Sequence, residues 1–426
     1  MKKFLLLISL VYIGQVNAQT WVTIPDANFV SCLQAIVPAA MNGNQLNTSS
    51  TLVTTTTHTI NVSSRSIANL SGIQFFTSLT YLNCQNNVLT SLPTLPNSLT
   101  YLNCADNTYL SSLPALPNSL YYLLCDASGI TTLPTLPNSL TYLICRSNNL
   151  TTLPTLPNSL TYLDCQFNSL TGLPSLPNLL DTLICENNSL HNIPALPNSL
   201  IYLDCFNNSL TSLPVLSNSL VYLNCNQNVI TSLPILPNSL YYLTCVVNHI
   251  TSLPALPNSL HYFNCNNNYL TSLPMLPDSL NYLSCQNNYI TCFPTFPNSI
   301  TSLIIIGNSY NCLPNYVAGF NSSNSAPLCA AGNPNGCAVA TGIEQITFTK
   351  TLVEVYPNPT SDQFYIETNV TDKLNVDLYD VNGRHVFSKS ISDKSNIDVT
   401  TLDNGIYTLT INTVGNVTNK KLVILH

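Results

Sequence analysis

Sixteen cysteines stand in a chain of 426 residues, and eleven of them keep a fixed step. Cys84, Cys104, Cys125, Cys145, Cys165, Cys185, Cys205, Cys225, Cys245, Cys265 and Cys285 recur every twenty residues, with one extra residue between Cys104 and Cys125. Such a column has two chemical readings: a ladder of disulfides or metal ligands, or a ladder of small buried side chains. The second is favoured. Val62 and Ile305 take the same position at the two ends of the series, and free cysteine buries readily. Aligned side chains also do not converge as a disulfide or a tetrahedral metal site requires. Acid–base chemistry has one candidate pair, Asp164 and Asp204. They lie two repeats apart, roughly 10 Å by strand spacing, slightly beyond the separation in inverting glycosidases. The six histidines are scattered and suggest neither a triad nor a metal site. No phosphate loop or nucleotide fingerprint occurs. No cofactor or metal is expected, and the chain reads as a binder, not an enzyme.

The phrase around each cysteine explains the step. Leu79-Thr80-Tyr81-Leu82-Asn83-Cys84-Gln85-Asn86-Asn87-Val88-Leu89 is repeated with few changes. It resembles the leucine-rich-repeat pattern L-x-x-L-x-L-x-x-N-x-L, with cysteine in the third leucine position. Leu82 and Cys84 alternate with Tyr81, Asn83 and Gln85, so a short strand turns the first pair inward and the second set outward. Asn87, Asn168 and Asn208 stand for a column of turn residues whose amides both donate to and accept from backbone groups left unpaired at the bend. Ser128 is the exception, and its rung is expected to be locally weaker. Cys84, Cys165 and Cys205 stand for the buried column beside them. The return path, Leu92-Pro93-Thr94-Leu95-Pro96-Asn97-Ser98, carries two prolines three residues apart. They favour an extended, polyproline-like course and exclude a long helix. The fold expected is a leucine-rich-repeat solenoid, with a parallel sheet on the concave face and an extended convex side.

Counting outward to Ile60-Asn61-Val62 and to Leu303-Ile304-Ile305 gives thirteen rungs over residues 60–309, a rod roughly 60 Å long at strand spacing. Residues 19–59 read as an N-terminal cap, with Asp26 opening a helix whose Phe29, Leu33 and Ile36 share a face before Pro38. Residues 310–350 read as C-terminal cap and linker. Cys32, Cys292, Cys312, Cys329 and Cys337 stand outside the column. In an exported chain some would form disulfides, and Cys292–Cys312 with Cys329–Cys337 is the first pairing to test. Lys2 and Lys3, the apolar run from Phe4 to Ile13 and Val16-Asn17-Ala18 read as a signal peptide over residues 1–18. Nothing downstream is apolar for long enough to span a bilayer.

Charge narrows the partner. The net charge is -7, and between Phe4 and Thr349 there is no lysine and no arginine except Arg65 and Arg146. Nucleic acid, which needs clustered cations, is therefore not expected. The outward tyrosines, including Tyr142, Tyr162, Tyr202, Tyr222 and Tyr242, form a column broken at Thr182. Rigid tyrosines flanked by amides suit recognition of a protein or glycan ligand; stacking that merely stabilises the sheet is the other reading. Arg146, Phe167, Glu186, Phe206, Val246 and Val247 depart from the Asn/Gln norm beside the column; Arg146, Phe167 and Phe206, with Asp164 and Asp204 from the adjoining column, are the candidate binding residues.

Residues 351–426 differ in composition. Charges return and short alternating strands flank Asn382-Gly383, a hairpin signal, so a small antiparallel β-sandwich is expected. Val355-Tyr356-Pro357-Asn358-Pro359, Leu378-Tyr379-Asp380-Val381-Asn382-Gly383-Arg384 and Gly405-Ile406-Tyr407 through Lys420-Lys421-Leu422-Val423 resemble the type A C-terminal sorting domain of the type IX secretion system. That resemblance implies a Bacteroidetes-type envelope, recognition by the secretion machinery, and usually removal of the domain with attachment of the remainder to the cell surface. The repeats are similar to two groups: enterobacterial type III effectors, through L-P-x-L-P-x-x-L, and surface internalins, through the cysteine column. The latter implies adhesion by analogy. A purely architectural envelope protein and a surface hydrolase are the alternatives.

Overall fold

A computed structural model describes residues 20–318, 326–329, 353–368, 374–381, 383–391, 395–413 and 416–426. The signal peptide, most of the linker and Cys337 lie outside the described residues. The chain divides into two units, Met1–Val339 and Ala340–His426, and each is taken by itself.

The first unit opens with strand β1 (Trp21–Thr23), helix α1 (Ala27–Ile36) and strands β2 (Met41–Asn42) and β3 (Gln45–Asn47), the strands ordered β1-β3-β2. Asp26 does two jobs. Its Oδ1 accepts the Phe29 amide at 2.9 Å, capping α1, while Oδ2 accepts the amides of Ala68 and Asn69 at 2.7 and 3.1 Å. The cap is thereby tied to the first rung as well as packed on it through the buried Phe29 and Leu33. Gly72 sits beneath this helix at φ +115°, where a Cβ would collide with Ile24 Cδ1.

Thirteen three-residue strands then pair in parallel and in chain order. The first is β4 (Thr59–Asn61) and the last β16 (Ser302–Ile304); between them lie β5 (Tyr81–Asn83) to β15 (Tyr282–Ser284). Register never slips: Tyr81 faces Tyr101, Leu82 faces Leu102, and the extra residue after Asn107 is absorbed before Tyr122 pairs with Tyr101. One continuous core fills the interior, built from the inward leucines and the cysteine column. The parallel-sheet leucine-rich-repeat solenoid read from the repeats is the architecture observed.

Polar side chains hold the turns. Asn168 Nδ2 donates to the carbonyls of Cys145, Cys165 and Gln166, and its Oδ1 accepts the Leu150 amide. Asn87 and Asn208 do the same in their own rungs. A serine ladder, to which the sequence reading gave no role, supports the opposite side. Ser98, Ser139 and Ser159 donate to the carbonyls of Leu79, Leu120 and Leu140 at 2.6–2.7 Å. These bonds satisfy backbone acceptors on an extended path that the prolines keep from forming a sheet.

The expected disulfides are corrected. Cys312 bonds Cys329, with the Cα atoms 5.0 Å apart, so neither Cys292–Cys312 nor Cys329–Cys337 forms. Cys292 and Cys312 hold one position on successive parallel rungs, where side chains run alongside each other. Beyond the last rung the chain instead folds back: Leu313 donates to Pro327 O and Cys329 donates to Leu313 O. That return brings Cys329 to Cys312. Cys292 is also disulfide-bonded.

The second unit packs a sheet of β17 (Val353–Tyr356), β18 (Gln363–Thr368) and β21 (Ser395–Asp398) with one of β19 (Leu374–Tyr379), β20 (His385–Ile391), β22 (Gly405–Thr413) and β23 (Asn416–Ile424). Phe364, Ile366, Val376, Leu378, Leu409 and Leu422 share its core. Asn358 clamps β23: its Nδ2 donates to Lys421 O at 2.6 Å and its Oδ1 accepts the Val423 amide at 2.9 Å. The motif around the prolines and the one ending the chain are thus halves of one joint.

Candidate ligand-binding face

The outer surface of the parallel sheet is set by strand alternation, and its central feature is the tyrosine column. Tyr142 and Tyr162 stack with ring centres 4.1 Å apart, Tyr202 and Tyr222 at 4.1 Å, and Tyr222 and Tyr242 at 4.6 Å. These separations repeat the strand spacing, because every ring leaves the sheet at the same register. The rings cover one another's faces, so edges and hydroxyls meet solvent. At Tyr101–Tyr122 and Tyr122–Tyr142 the planes tilt by 40° and 41°, next to the one-residue insertion. Burial pushes the Tyr162 and Tyr222 hydroxyls up, and hydrogen bonds and charge from Tyr142 and Tyr202 add to it.

Asp164 and Asp204 lie in the next outward column, but their carboxylates turn toward their own chain. Asp164 is 2% exposed and Asp204 7%. Asp164 Oδ1 accepts the Gln166 amide at 3.2 Å, and Oδ2 accepts Gln166 Nε2 at 3.1 Å. Asp204 takes the Phe206 amide at 3.1 Å and Asn224 Nδ2 at 3.1 Å. Asn83, Asn224 and Asn264 close the ends of their strands in the same way. Burial raises both carboxyls above their usual range, with Gln166 opposing it at Asp164 and the Phe206 amide at Asp204.

Arg146 is half-exposed and lies 3.5 Å from Asp126 and 4.0 Å from Asp164. Phe206 is half-buried, whereas Phe167 is 51% exposed. Phe167 occupies the position before the ladder asparagine, which is left-handed in rung after rung; its φ is +51°, and that of Val247 is +56°. Asparagine tolerates this conformation, while a β-branched residue there is strained. Val247, already marked in the sequence as a departure from the Asn/Gln norm, opens a groove of about 430 Å³ with His249, Asn267, Tyr269, Asn287 and Tyr289, to which the sequence reading gave no such role. Their signal was positional, since His249, Tyr269 and Tyr289 succeed one another at one place in three rungs. Asp126 and Asp181 were also missed, and Glu186 stood out only as a departure from the Asn/Gln norm, not as one of an acidic group. Together with Asp164 and Asp204 they make the middle of the repeat array acidic, against Arg146 alone.

The cysteine column is chemically quiet. All eleven thiols are free and buried. Cys84, Cys165 and Cys205 donate to carbonyls of the next strand at 3.3–3.5 Å. Burial pushes the Cys84 thiol up to about 12, far from the thiolate that metal binding or disulfide exchange needs.

Comparison with known proteins places both units. Residues 354–425 match the secretion system C-terminal sorting domain. The repeats are similar to YopM from Yersinia enterocolitica WA-314, with 35% identity over 62% of this chain and 58% of that one and a TM-score of 0.59. Just over half of that relative's length is therefore matched. They are also similar to YopM, a leucine-rich effector protein from Yersinia pestis, with 32% identity over 61% of this chain and 80% of that one and a TM-score of 0.53. The functional domain of InlJ from Listeria monocytogenes, described as including a cysteine ladder, shares the fold at 20% identity, 96% and 99% coverage and a TM-score of 0.50. No curated protein matches the chain significantly. The sorting domain is that of type IX secretion, which makes this a secreted or surface-associated protein of a Bacteroidetes-type bacterium. Among the described residues no helix is long and apolar enough to cross a membrane. The chain belongs to the leucine-rich-repeat proteins, its repeats joined to a type IX secretion system C-terminal sorting domain.

Proposed function

We propose that this protein is a surface recognition module that binds a protein ligand through the tyrosine face of its solenoid after export by the type IX machinery. The observation that carries the reading is the stacked column itself. Each ring from Tyr202 to Tyr282 is immobilised by its neighbours at 4.1–4.6 Å, so a row of hydroxyls and ring edges is presented with little conformational entropy left to lose on binding. Exposed Phe167 and half-buried Phe206 lie beside it as apolar anchors. The carboxylates of Asp164 and Asp204 are committed to the ends of their strands, which supports binding over hydrolysis. Attachment to the cell surface would make the module an adhesin.

Phenylalanine substitutions separate binding from stacking, because they keep the ring and remove the hydroxyl. The Tyr162→Phe/Tyr202→Phe/Tyr222→Phe variant is expected to melt like the parent and to lose at least tenfold in affinity for a purified surface-protein ligand. A glycan array run beside it tests a saccharide ligand instead. Unchanged binding by the triple variant would leave the column a purely structural stack.

A further inference from the structure

The tyrosine column has one vacancy. Thr182 pairs directly with Tyr162 on one side and Tyr202 on the other. Where every neighbouring rung from Tyr81 to Tyr282 carries a ring, this rung carries a short hydroxyl side chain. Tyr162 and Tyr202 are therefore two strand steps apart, roughly 9–10 Å, with no ring between them. Neither is free to lean into the space, since Tyr162 is stacked on Tyr142 and Tyr202 on Tyr222 at 4.1 Å each. The result is a slot one planar group thick, with aromatic faces as walls and Thr182 as floor.

Charge selects what fits. Asp164 and Asp204 stand in the rungs that form the walls, Asp181 precedes Thr182, and Glu186 follows on the same rung. Arg146 lies closer to Asp126, at 3.5 Å, than to Asp164, at 4.0 Å, and offsets only part of this charge. Burial pushes the Tyr202 hydroxyl up, its hydrogen bond with Tyr222 opposes this, and the charges of Asp204 and Glu186 add to the rise. Burial and the charges of Asp204 and Asp164 likewise raise Glu186.

Resting on the reading that the tyrosine face is the contact surface, we propose that the slot at Thr182 receives the guanidinium of an arginine from the partner protein, sandwiched between Tyr162 and Tyr202. A planar cation midway would lie about 5 Å from both ring centres, inside the roughly 6 Å reach of a cation–π contact. Its edge would donate to the Thr182 hydroxyl below, within the field of the nearby carboxylates, and its flat shape fills the slot as an ammonium cannot. A neutral aromatic group matches the thickness but not the field; lysine matches the field but not the shape.

The test passes the full chain over immobilised Gly-Arg-Gly, Gly-Lys-Gly and Gly-Phe-Gly peptides at low salt. Retention is expected on the arginine column alone. Thr182→Tyr, which completes the stack, should reduce that retention at least tenfold while its circular dichroism and melting temperature match or exceed those of the parent. Tyr162→Leu, which removes one wall, should reduce it as well and serves if Thr182→Tyr does not fold. Equal retention on lysine, undiminished retention of both variants, or no retention of the parent would each overturn the proposal. In that last case, loss of the protein ligand by the triple phenylalanine variant would show that the face binds without this slot. Retention of the parent on arginine, with that variant still binding its ligand fully, would separate the slot from the wider face.

Discussion

Asn168 Oδ1 accepts the amide of Leu150, eighteen residues earlier, at 3.0 Å, while its Nδ2 donates to three carbonyls in two rungs. One side chain thus joins two layers of the solenoid. Asn168→Ala leaves several backbone groups unpaired at once, and each costs about 1–3 kcal/mol when buried. Asn168→Asp should be worse at neutral pH, because a carboxylate has no proton for the Cys145, Cys165 and Gln166 carbonyls. Since a repeat couples mainly to its neighbours, faster hydrogen exchange is expected at Leu150 and in the rungs of Cys145 and Cys165. Exchange that stayed slow there would contradict the ladder's role.

Ser128 marks the opposite case. The extra residue after Asn107 lets Leu110 donate to Asn107 O at 2.8 Å, so no orphan amide awaits position 128. Ser128 Oγ merely donates to Asp126 O at 3.2 Å and accepts the Asn107 amide at 3.4 Å. The displaced chain comes close: a Cβ on Gly129 would lie 3.0 Å from Thr108 O. Gly129→Ala is therefore expected to lower the melting temperature, whereas Ser128→Asn should gain little. Hydrogen exchange should be fastest in this rung among the interior ones, and a uniform profile would count against it.

The contrast shows what the repeat made legible. Period, strand face, core column and turn asparagines all follow from residues whose place in the twenty-residue window is fixed. The serine ladder is equally periodic, yet nothing in the sequence assigns Ser98 a role, because its partner, Leu79 O, is a backbone atom with no sequence signal. The Cys312–Cys329 pairing depended on a fold-back after the last rung, where no repeat exists. Asp164 and Asp204 were read as outward groups by alternation, and alternation does not report that a short carboxylate bends back to cap its own strand.

Tyr222 separates two contributions. Its ring stacks on Tyr202 and Tyr242, and aromatic pairs contribute about 0.5–1.5 kcal/mol each. Tyr222→Ala should therefore destabilise the solenoid by roughly 1–3 kcal/mol, while Tyr222→Phe leaves the melting temperature nearly unchanged. Equal melting of the alanine and phenylalanine variants would mean that the stack contributes nothing.

Asp204 gives a pH dependence. Burial raises its carboxyl in the folded chain above the usual value of 3.8. The folded state thus holds the proton more tightly than the unfolded one. The associated stability is fully present below about pH 3.8 and is lost as pH rises through the raised value. Asp204→Asn keeps an oxygen for the Phe206 amide, as Asn224 does for Asn226, and removes the cost of a buried charge. Its melting temperature is expected to exceed the parent's at pH 7, with the difference closing toward pH 3. A gain that persisted at pH 3 would mean that ionisation is not the cause.

The thiol column offers a test of the shared interior. Alkylation needs the thiolate, and burial opposes it throughout, holding Cys225 at about 12. Cys32 is free and only partly buried. Its thiol is raised by burial but drawn back by Arg65. Native alkylation at pH 8 followed by peptide mass spectrometry should label Cys32 first and spare Cys84 to Cys285 until the chain is denatured. Cys205→Val should fold normally, because Val62 and Ile305 already fill that position fully buried. Rapid native labelling of Cys205 would mean that the rungs open readily, and a solenoid that opens in this way could not hold the tyrosines of its outer face in one stack.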